Sequence, residues 1–222
     1  MDKKLILEAI GAVRKTAKKR AFKQTFDLVI NLKGINVKTN NIDSFVALPY
    51  GRGKRIKICA FVDKELLTVA RNAFDKLIAK DQFPEWKTDK KKARSLAKDF
   101  DFFVAQADIM PQVAMNFGTV LGPRGKMPNP KMGCIIPSKI EDFTPLIERL
   151  RKTVRLITKN EATIKCPIGD EDMKDGEIAE NADAVISVLI PLLPQEKMNV
   201  KDMSIKLTMS APIKVRAAPK EK

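Results

Sequence analysis

Apolar and polar positions along this chain follow two different periods, which predict both helices and strands. Residues 2–20 repeat apolar side chains at helical spacing after Asp2, a suitable N-cap. Residues 26–33 alternate between apolar and polar side chains, as in a strand with one exposed face. From residue 55 onward, strand-like and helix-like segments follow one another. Such alternation is typical of an α/β domain, so we predict an α/β (α+β) fold.

The elements predicted after residue 55 begin a second series. They are strands at 55–62 and 101–107, helices at 63–80, 86–98 and 111–117, and a helix at 138–153 with Ser138 and Glu141 spaced as a capping box. The last third is predicted to contain strands at 154–158 and 161–166, a turn closed by Pro167 and Gly169, a helix at 175–193 and a strand at 204–210. In that final strand every second side chain is polar, so these side chains share one face, as on an edge strand.

A segment rich in glycine and proline, residues 118–133, interrupts the regular pattern. Both residue types disfavour a helix, so the whole segment is predicted to be an ordered loop or a series of turns. It carries Arg124, Lys126 and Lys131, and no acidic residue occurs from Ile109 to Ile140. Contact with a phosphate or another anion is one interpretation, and a solvated surface turn is the other.

This segment does not match the phosphate-cradling loop of nucleotide-binding proteins. That motif ends in Gly-Lys-Ser/Thr, whereas Met127 follows the Gly-Lys pair here, and Val120 stands where the first glycine belongs. An enzyme acting on a phosphorylated ligand at this segment stays as the alternative function. Its nearest candidate catalytic groups are Asp108 and Cys134, and neither has an evident residue to orient it.

The charge balance predicts a polyanionic partner. The 42 lysines and arginines against 27 acidic residues give a net charge of +15, which favours nucleic acid first and an anionic membrane surface second. The chain has no histidine and only three separated cysteines, so neither a zinc site nor any cofactor is expected. No apolar run approaches the roughly 20 residues of a membrane span, and we expect a cytoplasmic protein without a signal peptide.

A cluster of cations closes the first predicted helix. Six positive charges, among them Lys19, Arg20 and Lys23, lie between residues 9 and 26 with no acidic residue among them. Cations are favourable at a helix C-terminus, yet this number exceeds what the helix dipole requires. We therefore assign the cluster to contact with nucleic acid or phosphate.

Four sequence blocks resemble the ribosomal protein L-one family, which belongs to the lateral stalk of the large ribosomal subunit. The blocks are LGPRGKMPNPKMG at 121–133, LPYGRGK at 48–54, RAFKQTFDLVINL at 20–32 and SIKLTMSAP at 204–212, and they occur in the family's order. Tyr50 replaces the usual histidine of the second block, and the arginine in that block resembles the archaeal branch. The blocks span nearly the whole chain, and together they are highly specific.

The resemblance implies two domains and places the RNA surface on one of them. Residues 1–54 and 155–222 would form a discontinuous RNA-binding domain and 55–154 an inserted α/β domain, with Arg55 and Val154 at the hinge. Segment 118–133 would then be a secondary basic loop. The RNA-binding residues implied by the matching motifs and the basic cluster are Lys19, Arg20, Phe22, Lys23, Thr25, Asp27, Asn31, Lys165, Lys206, Thr208, Met209 and Ser210.

Some of these positions stay open from the sequence alone. Phe22 could stack on RNA or pack against the sheet, and Met209 could contact RNA or fill the core. Lys23 departs from the acidic residue of many relatives. Ser210 stands where they usually have a glycine, although its hydroxyl could still bind a phosphate or ribose.

The resemblance also implies a function. The protein would bind the stalk region of large-subunit rRNA near the tRNA exit site, assist release of deacylated tRNA and repress translation by binding its own mRNA. It would have no enzymatic activity and no cofactor, and it would be a monomer when free of the ribosome. A peripheral membrane protein is the third and weakest interpretation, because the basic first helix lacks tryptophan and has little apolar bulk.

Overall fold

The computed structural model describes residues 3–37, 40–71, 73–137, 140, 142–158 and 161–215. The predicted caps at Asp2, Ser138 and Glu141 lie outside these residues. The chain divides into two compact units, which we call the terminal unit, residues 1–54 and 152–222, and the inserted unit, residues 55–151. The return to the terminal unit comes at residue 152, slightly before the 154–155 boundary expected from the sequence.

The terminal unit contains both ends of the chain. Its described helices and strands are α1 (Lys3–Thr16), β1 (Thr25–Leu32), β2 (Asp43–Ala47), β7 (Thr153–Ile157), β8 (Thr163–Asp170), α7 (Asp175–Leu189), β9 (Val200–Leu207) and β10 (Ile213–Lys214). One antiparallel sheet has the order β10-β9-β1-β8, and β2 pairs with β7 in a second sheet. The β2–β7 pairing explains the early return, because it draws residues 153–157 into this unit.

One face of the four-stranded sheet is covered by α1 and α7. The strand β1 alternates as predicted, with Phe26, Leu28 and Ile30 buried against the helices and the intervening side chains half-exposed. Ile10 of α1 and Val185 of α7 are fully buried in the same core. The apolar stripes read from the sequence therefore meet in one layer of helices on a sheet.

The inserted unit is a parallel α/β structure. Its described helices and strands are β3 (Ile58–Val62), α2 (Leu67–Ala70), β4 (Lys76–Ala79), α3 (Phe83–Thr88), α4 (Lys90–Asp99), β5 (Phe102–Gln106), α5 (Met110–Leu121), β6 (Ile135–Ile136) and α6 (Thr144–Lys152), whose last residue is assigned to the terminal unit. Its sheet has the order β4-β3-β5-β6 with all strands parallel. Every residue of β3 is buried, as expected for a central parallel strand. Phe61 contacts the rings of Phe83, Phe103 and Phe117 in the core.

Two predicted elements of the inserted unit are wrong in part. The helix expected at 63–80 ends at Ala70, and residues 76–79 form β4 because β3 supplies parallel backbone partners. The segment 118–133 is not entirely non-helical, since α5 continues through Gly118 to Leu121. Beyond it, Gly125 and Gly133 adopt left-handed φ values of 64° and 71°, which form the predicted turns.

Two predicted elements of the terminal unit are also wrong. The expected turn at Pro167 and Gly169 is absent, since β8 runs through both; β8 borders the sheet, where a proline is tolerated. Gly169 permits close packing, because a Cβ there would lie 2.9 Å from Ile178 Cγ1. The last long strand ends at Leu207, so Thr208–Ser210 form a turn, and β10 covers part of what was predicted to be an edge strand.

The LPYGRGK block forms a tight turn fastened to the terminal unit. The buried Asn181 accepts a hydrogen bond from Tyr50 N at 3.1 Å and donates to the carbonyls of Gly51 and Ile168, both at 2.8 Å. Gly53 has a φ of 74°, and a Cβ there would lie 2.6 Å from Asp170 Cβ. Both backbone conformation and space therefore require glycine at this position.

We expect Gly53→Ala to lower the free energy of unfolding by about 1–3 kcal/mol, because it adds a clash to a left-handed backbone. Gly11→Ala is the matched control, since Gly11 lies within α1 and nothing approaches its Cβ position within 4 Å. That control should raise the free energy of unfolding by about 0.5–1 kcal/mol. Urea denaturation of both variants measures the difference, and equal stability of Gly53→Ala and wild type would contradict the assigned strain.

Candidate nucleic-acid interface

The face of the four-stranded sheet turned away from the helices carries mostly polar side chains. Because side chains alternate along a strand, the residues that alternate with the core-facing positions of β1, β8 and β9 point to this side, and Ser204 is the buried one among them. We call it the open face. Its residues are Thr25, Asp27, Val29 and Asn31 of β1, Thr163, Lys165 and Pro167 of β8, and Asp202, Ser204 and Lys206 of β9.

The strand register brings distant parts of the sequence into rows across the open face. Asp27 lies between Lys206 and Pro167, and Val29 lies between Ser204 and Lys165. Five predicted RNA-binding residues thus share one surface: Thr25, Asp27, Asn31, Lys165 and Lys206. The charges on it are mixed, so a backbone phosphate would meet a lysine on β8 and another on β9, with the carboxylate of Asp27 on β1 between them.

The Asn31 end of the open face is internally bonded. Asn31 Nδ2 donates to Asp202 Oδ1 at 2.6 Å, and Thr163 Oγ1 donates to Asn31 Oδ1 at 3.0 Å. Lys214 Nζ lies 3.3 Å from the other carboxylate oxygen of Asp202. The hydrogen bond from Asn31 and the Lys214 charge lower the pKa of Asp202. Asn31 therefore has a structural partner on each side.

The opposite end of the open face joins two of the matched sequence blocks, at 20–32 and 204–212, from the two chain ends. Thr25 N donates to Thr208 Oγ1 at 3.1 Å, and Met209 N donates to Gln24 Oε1 at 3.2 Å. Gln24 is only 1% exposed and also donates to Lys18 O. Gln24 lies within the matched block at 20–32, but sequence reasoning missed its role, because that role depends on Met209, which lies far along the chain.

Phe22 and Met209 are both exposed beside this junction. Their exposed fractions are 51% and 59%, which removes the alternative that either side chain fills the core. An exposed aromatic ring offers a base a stacking surface, and a thioether is a polarizable contact. The predicted contact residues are thus presented to solvent at the point where the two blocks meet.

Ser210 is used within the turn that follows β9. Its hydroxyl accepts a hydrogen bond from Leu207 N at 2.8 Å, and Ser210 N donates to Leu207 O at 3.0 Å. The serine side chain therefore stabilises this turn. A ligand would have to compete with Leu207 for the serine oxygen.

The basic residues before β1 divide into two kinds. Lys19 and Arg20 are exposed in the connection between α1 and β1. Lys23 forms an ion pair with Asp172, and the hydrogen bond to that carboxylate raises the pKa of Lys23. Arg14 is structural, since it donates to the Glu171 and Met173 carbonyls and to Asp175, at 2.7, 2.5 and 2.6 Å.

Two of the three cations in the secondary basic loop bind backbone carbonyls of the inserted unit. Lys126 Nζ donates to Ala97 O at 3.0 Å and to Phe100 O at 2.6 Å, at the C-terminus of α4. Arg124 donates to Arg94 O at 3.2 Å. Burial lowers the pKa of Lys126. A cation at a helix C-terminus satisfies carbonyls that lack helical partners, so Lys126 acts as a cap. Lys131 is exposed.

Of the candidate catalytic and hinge residues, Cys134 and Val154 lie in the core, whereas Arg55 lies at the surface. Cys134 is buried, and burial raises the pKa of its thiol to about 11, so the nucleophilic thiolate is scarce at neutral pH. Val154 is buried within β7 opposite Val46, whereas Arg55 is exposed and pairs with Asp75.

No cluster of metal-binding side chains occurs among the described residues, nor does any described helix have the length and apolar character to cross a membrane.

The fold and this surface together define a basic binding protein. It presents one polar face of a sheet and, at one end of that face, the exposed apolar side chains of Phe22 and Met209. The chain belongs to the Ribosomal protein L1p/L10e family, whose model matches residues 13–211. It is 42% identical to large ribosomal subunit protein uL1 of Nanoarchaeum equitans over 89% of this chain and 93% of the relative. It is 37% identical to the proteins of the same name from Thermococcus kodakarensis, over 96% and 98%, and Methanocaldococcus jannaschii, over 97% of each chain.

Family membership decides several sequence-based predictions. The resemblance to the L-one family and to its archaeal branch is confirmed, as is the mixed α/β fold class. The prediction that the protein is not an enzyme is also confirmed, because the family consists of structural ribosomal proteins. The alternative of an enzyme at residues 118–133 is therefore wrong.

Replacing Lys126 by methionine should lower the free energy of unfolding of the inserted unit by about 1–2 kcal/mol, because two carbonyls at the end of α4 lose their donor. Lys131→Met removes the same charge from the same loop and should leave stability within about 0.5 kcal/mol of wild type. Chemical denaturation of the two variants provides the test. An equal loss of unfolding free energy in both variants would contradict the capping role, because the loss would then follow from the removed charge.

Asp27 and Asp202 on the open face should give opposite pH dependences of stability. Burial raises the pKa of Asp27 above its ordinary value of 3.8, while the Lys206 charge acts in the other direction. The folded state thus binds this proton more tightly than the unfolded state. Protonated Asp27 therefore contributes to the free energy of unfolding. This contribution is complete below the unfolded pKa of Asp27 and is lost as pH rises through its folded pKa. Asp202 has a lowered folded pKa, so its contribution exists above the unfolded pKa and is lost as pH falls.

Asp27→Asn should accordingly be more stable than wild type once the pH rises above the folded pKa of Asp27. Asp202→Asn should be less stable than wild type at neutral pH and equally stable in acid. Urea unfolding of wild type and both variants from about pH 3 to about pH 7 measures these slopes. Slopes of the same sign for the two variants would contradict the assigned surroundings.

Proposed function

We propose that this protein is a structural component of the large ribosomal subunit and binds the stalk region of large-subunit rRNA near the tRNA exit site. The terminal unit supplies the contacts, through the open face and the end that carries Phe22 and Met209. Family membership and the names of the relatives support the ribosomal part of this proposal. The rRNA region follows from the resemblance of the matched blocks.

The observation that carries the proposal is the junction of residues 22–25 with residues 208–210. Hydrogen bonds of Thr25 to Thr208 and of Met209 to the buried Gln24 hold the two segments together, so Phe22 and Met209 project from a rigid base. Rigid presentation lowers the entropy lost on binding. Folded RNA is recognised through phosphates, ribose hydroxyls and exposed bases, and this end offers hydroxyls, cations and an aromatic ring.

Electrostatics supports a partner with many phosphates. The chain carries a net charge of +15, and three of its cations, Lys23, Arg124 and Lys126, already bind groups within the protein. The exposed Lys19, Arg20 and Lys165 lie on the terminal unit and are available to phosphates. We expect the logarithm of the affinity to fall linearly with the logarithm of salt concentration, by about 0.7–0.9 per phosphate neutralised.

The same surface would serve two further roles, which rest on the family resemblance. One is repression of translation through the protein's own mRNA, and a single RNA surface implies that rRNA and mRNA compete for it. The other is assistance in the release of deacylated tRNA from the exit site. A stalk rRNA fragment should displace a bound leader of the messenger, and simultaneous binding of both RNAs would argue for separate sites.

Truncating the exposed apolar side chains should weaken RNA binding without unfolding the protein. We expect Phe22→Ala to reduce affinity for a stalk rRNA fragment by about tenfold to a hundredfold through lost stacking. Met209→Ala should reduce it by about threefold to tenfold. Met115→Ala is the matched control, because Met115 is 71% exposed on the inserted unit and its truncation should leave affinity unchanged.

Filter binding or fluorescence anisotropy at several salt concentrations would measure these affinities, with an unrelated RNA hairpin as competitor. Footprinting on total ribosomal RNA would identify the region bound. Equal affinity for any hairpin, no salt dependence, or equal effects of Met209→Ala and Met115→Ala would overturn the proposal.

A further inference from the structure

A cleft of about 500 Å³ lies in the terminal unit beyond the end of α7, and its rim reaches Asp202 of the open face. Its floor is aliphatic, and four lysine or aspartate side chains surround it. The lining residues are Ile186 of α7, Ile190 just after α7, Val200 and Met203 of β9, Val215 after β10, and Lys197, Lys201, Asp202 and Lys214 at the rim.

The cleft lies beyond the part of the sheet that α1 covers. Ion pairs of Lys3 with Glu180 and of Arg14 with Asp175 show that α1 runs antiparallel to α7. The described start of α1 therefore lies beside Glu180, whereas α7 continues to Leu189. Past that point no described α-helix lies between α7 and β9, and the chain connects them through two short 3₁₀-helices, Ile190–Leu192 and Glu196–Asn199.

Apolar exposure continues around the cleft. Val188, Leu192 and Met198 are 39%, 45% and 75% exposed, and they flank the residues that form its wall. A cluster of exposed aliphatic side chains beside an apolar cleft is typical of a binding surface for another polypeptide. The lining contains no aromatic ring, on which a nucleobase would stack, so it suits aliphatic side chains better than RNA bases.

The rim of the cleft is positively charged. Lys197, Lys201 and Lys214 are exposed, while the rim's one carboxylate, Asp202, already accepts hydrogen bonds from Asn31 and pairs with Lys214. Lys201 is the extra residue of a bulge, since Val200 pairs with Leu32 and Asp202 with Asn31. Bulges redirect a side chain out of the regular alternation. The rim thus complements acidic side chains.

We propose that this cleft docks an amphipathic helix of a partner protein, with aliphatic side chains on one face and acidic side chains beside it. The helix would cover the part of the sheet that α1 leaves uncovered, placing its apolar face on Ile190 and Met203 and its carboxylates near the three lysines. This is the helix-in-groove mode of recognition. Asp202 belongs both to the rim of the cleft and to the open face, so the two surfaces adjoin at β9.

The test uses the full chain and a fluorescein-labelled synthetic helix of about 14 residues, four turns, with leucines on one face and glutamates on the other. We expect saturable binding, measured by anisotropy, that is at least tenfold weaker for a scrambled peptide. It should also be at least tenfold weaker for the protein with Lys197→Glu, Lys201→Glu and Lys214→Glu. Lys87→Glu, Lys90→Glu and Lys91→Glu form the control, since they change the net charge equally at exposed sites of the inserted unit.

Binding that survives the cleft substitutions, or that is equal for a peptide with lysines in place of glutamates, would overturn the proposal. Binding seen only after deletion of residues 216–222 would also overturn it, because the occupant would then be the chain's own end. Displacement of the peptide by a single-stranded oligonucleotide at equal concentration would assign the cleft to RNA instead. Ile190→Asp provides an independent check on the apolar contact and should also weaken binding at least tenfold.

Discussion

Strand β1 is hydrogen-bonded along both of its edges, to β8 on one side and β9 on the other, and the terminal unit depends on this pairing. The register places Phe26, Leu28 and Ile30 under the helices and turns the polar side chains outward. A shift by one residue would exchange the two faces, so burial of the core and presentation of the open face are set together. The proposed RNA surface is therefore a consequence of core packing.

The sequence predicted what depends on local periodicity. The alternation in β1 and the apolar stripe of α7 were sufficient, because in both elements one period dominates. The segment around Leu77 and Ile78 satisfied a helical pattern and a strand pattern at once, and only the parallel neighbour β3 decided for the strand. Pro167 suggested a turn, but its place in a border strand could not be known before the sheet order was known.

The candidate site was predictable to the extent that its residues carry motifs. Phe22, Thr25, Thr208 and Met209 belong to matched blocks, and the structure brings those blocks together. Gln24 could not be found, since its role arises only when residues 209 and 18 meet it. Composition alone does not distinguish one lysine from another. In the structure, burial and two nearby carbonyls give Lys126 a structural role. Net charge identifies the kind of partner but not which cations meet it.

The central position of β1 also has a consequence for biosynthesis. Its two partners lie more than a hundred residues later in the chain, so β1 leaves the exit tunnel long before either can bind it. Residues 55–151 form a contiguous unit and can fold while β1 is still unpaired. Translation must reach β9 before the sheet can close, and until then α1 and β1 expose their apolar sides. The nascent chain therefore passes through a stage in which the inserted unit is folded while β1 still lacks its partner strands β8 and β9.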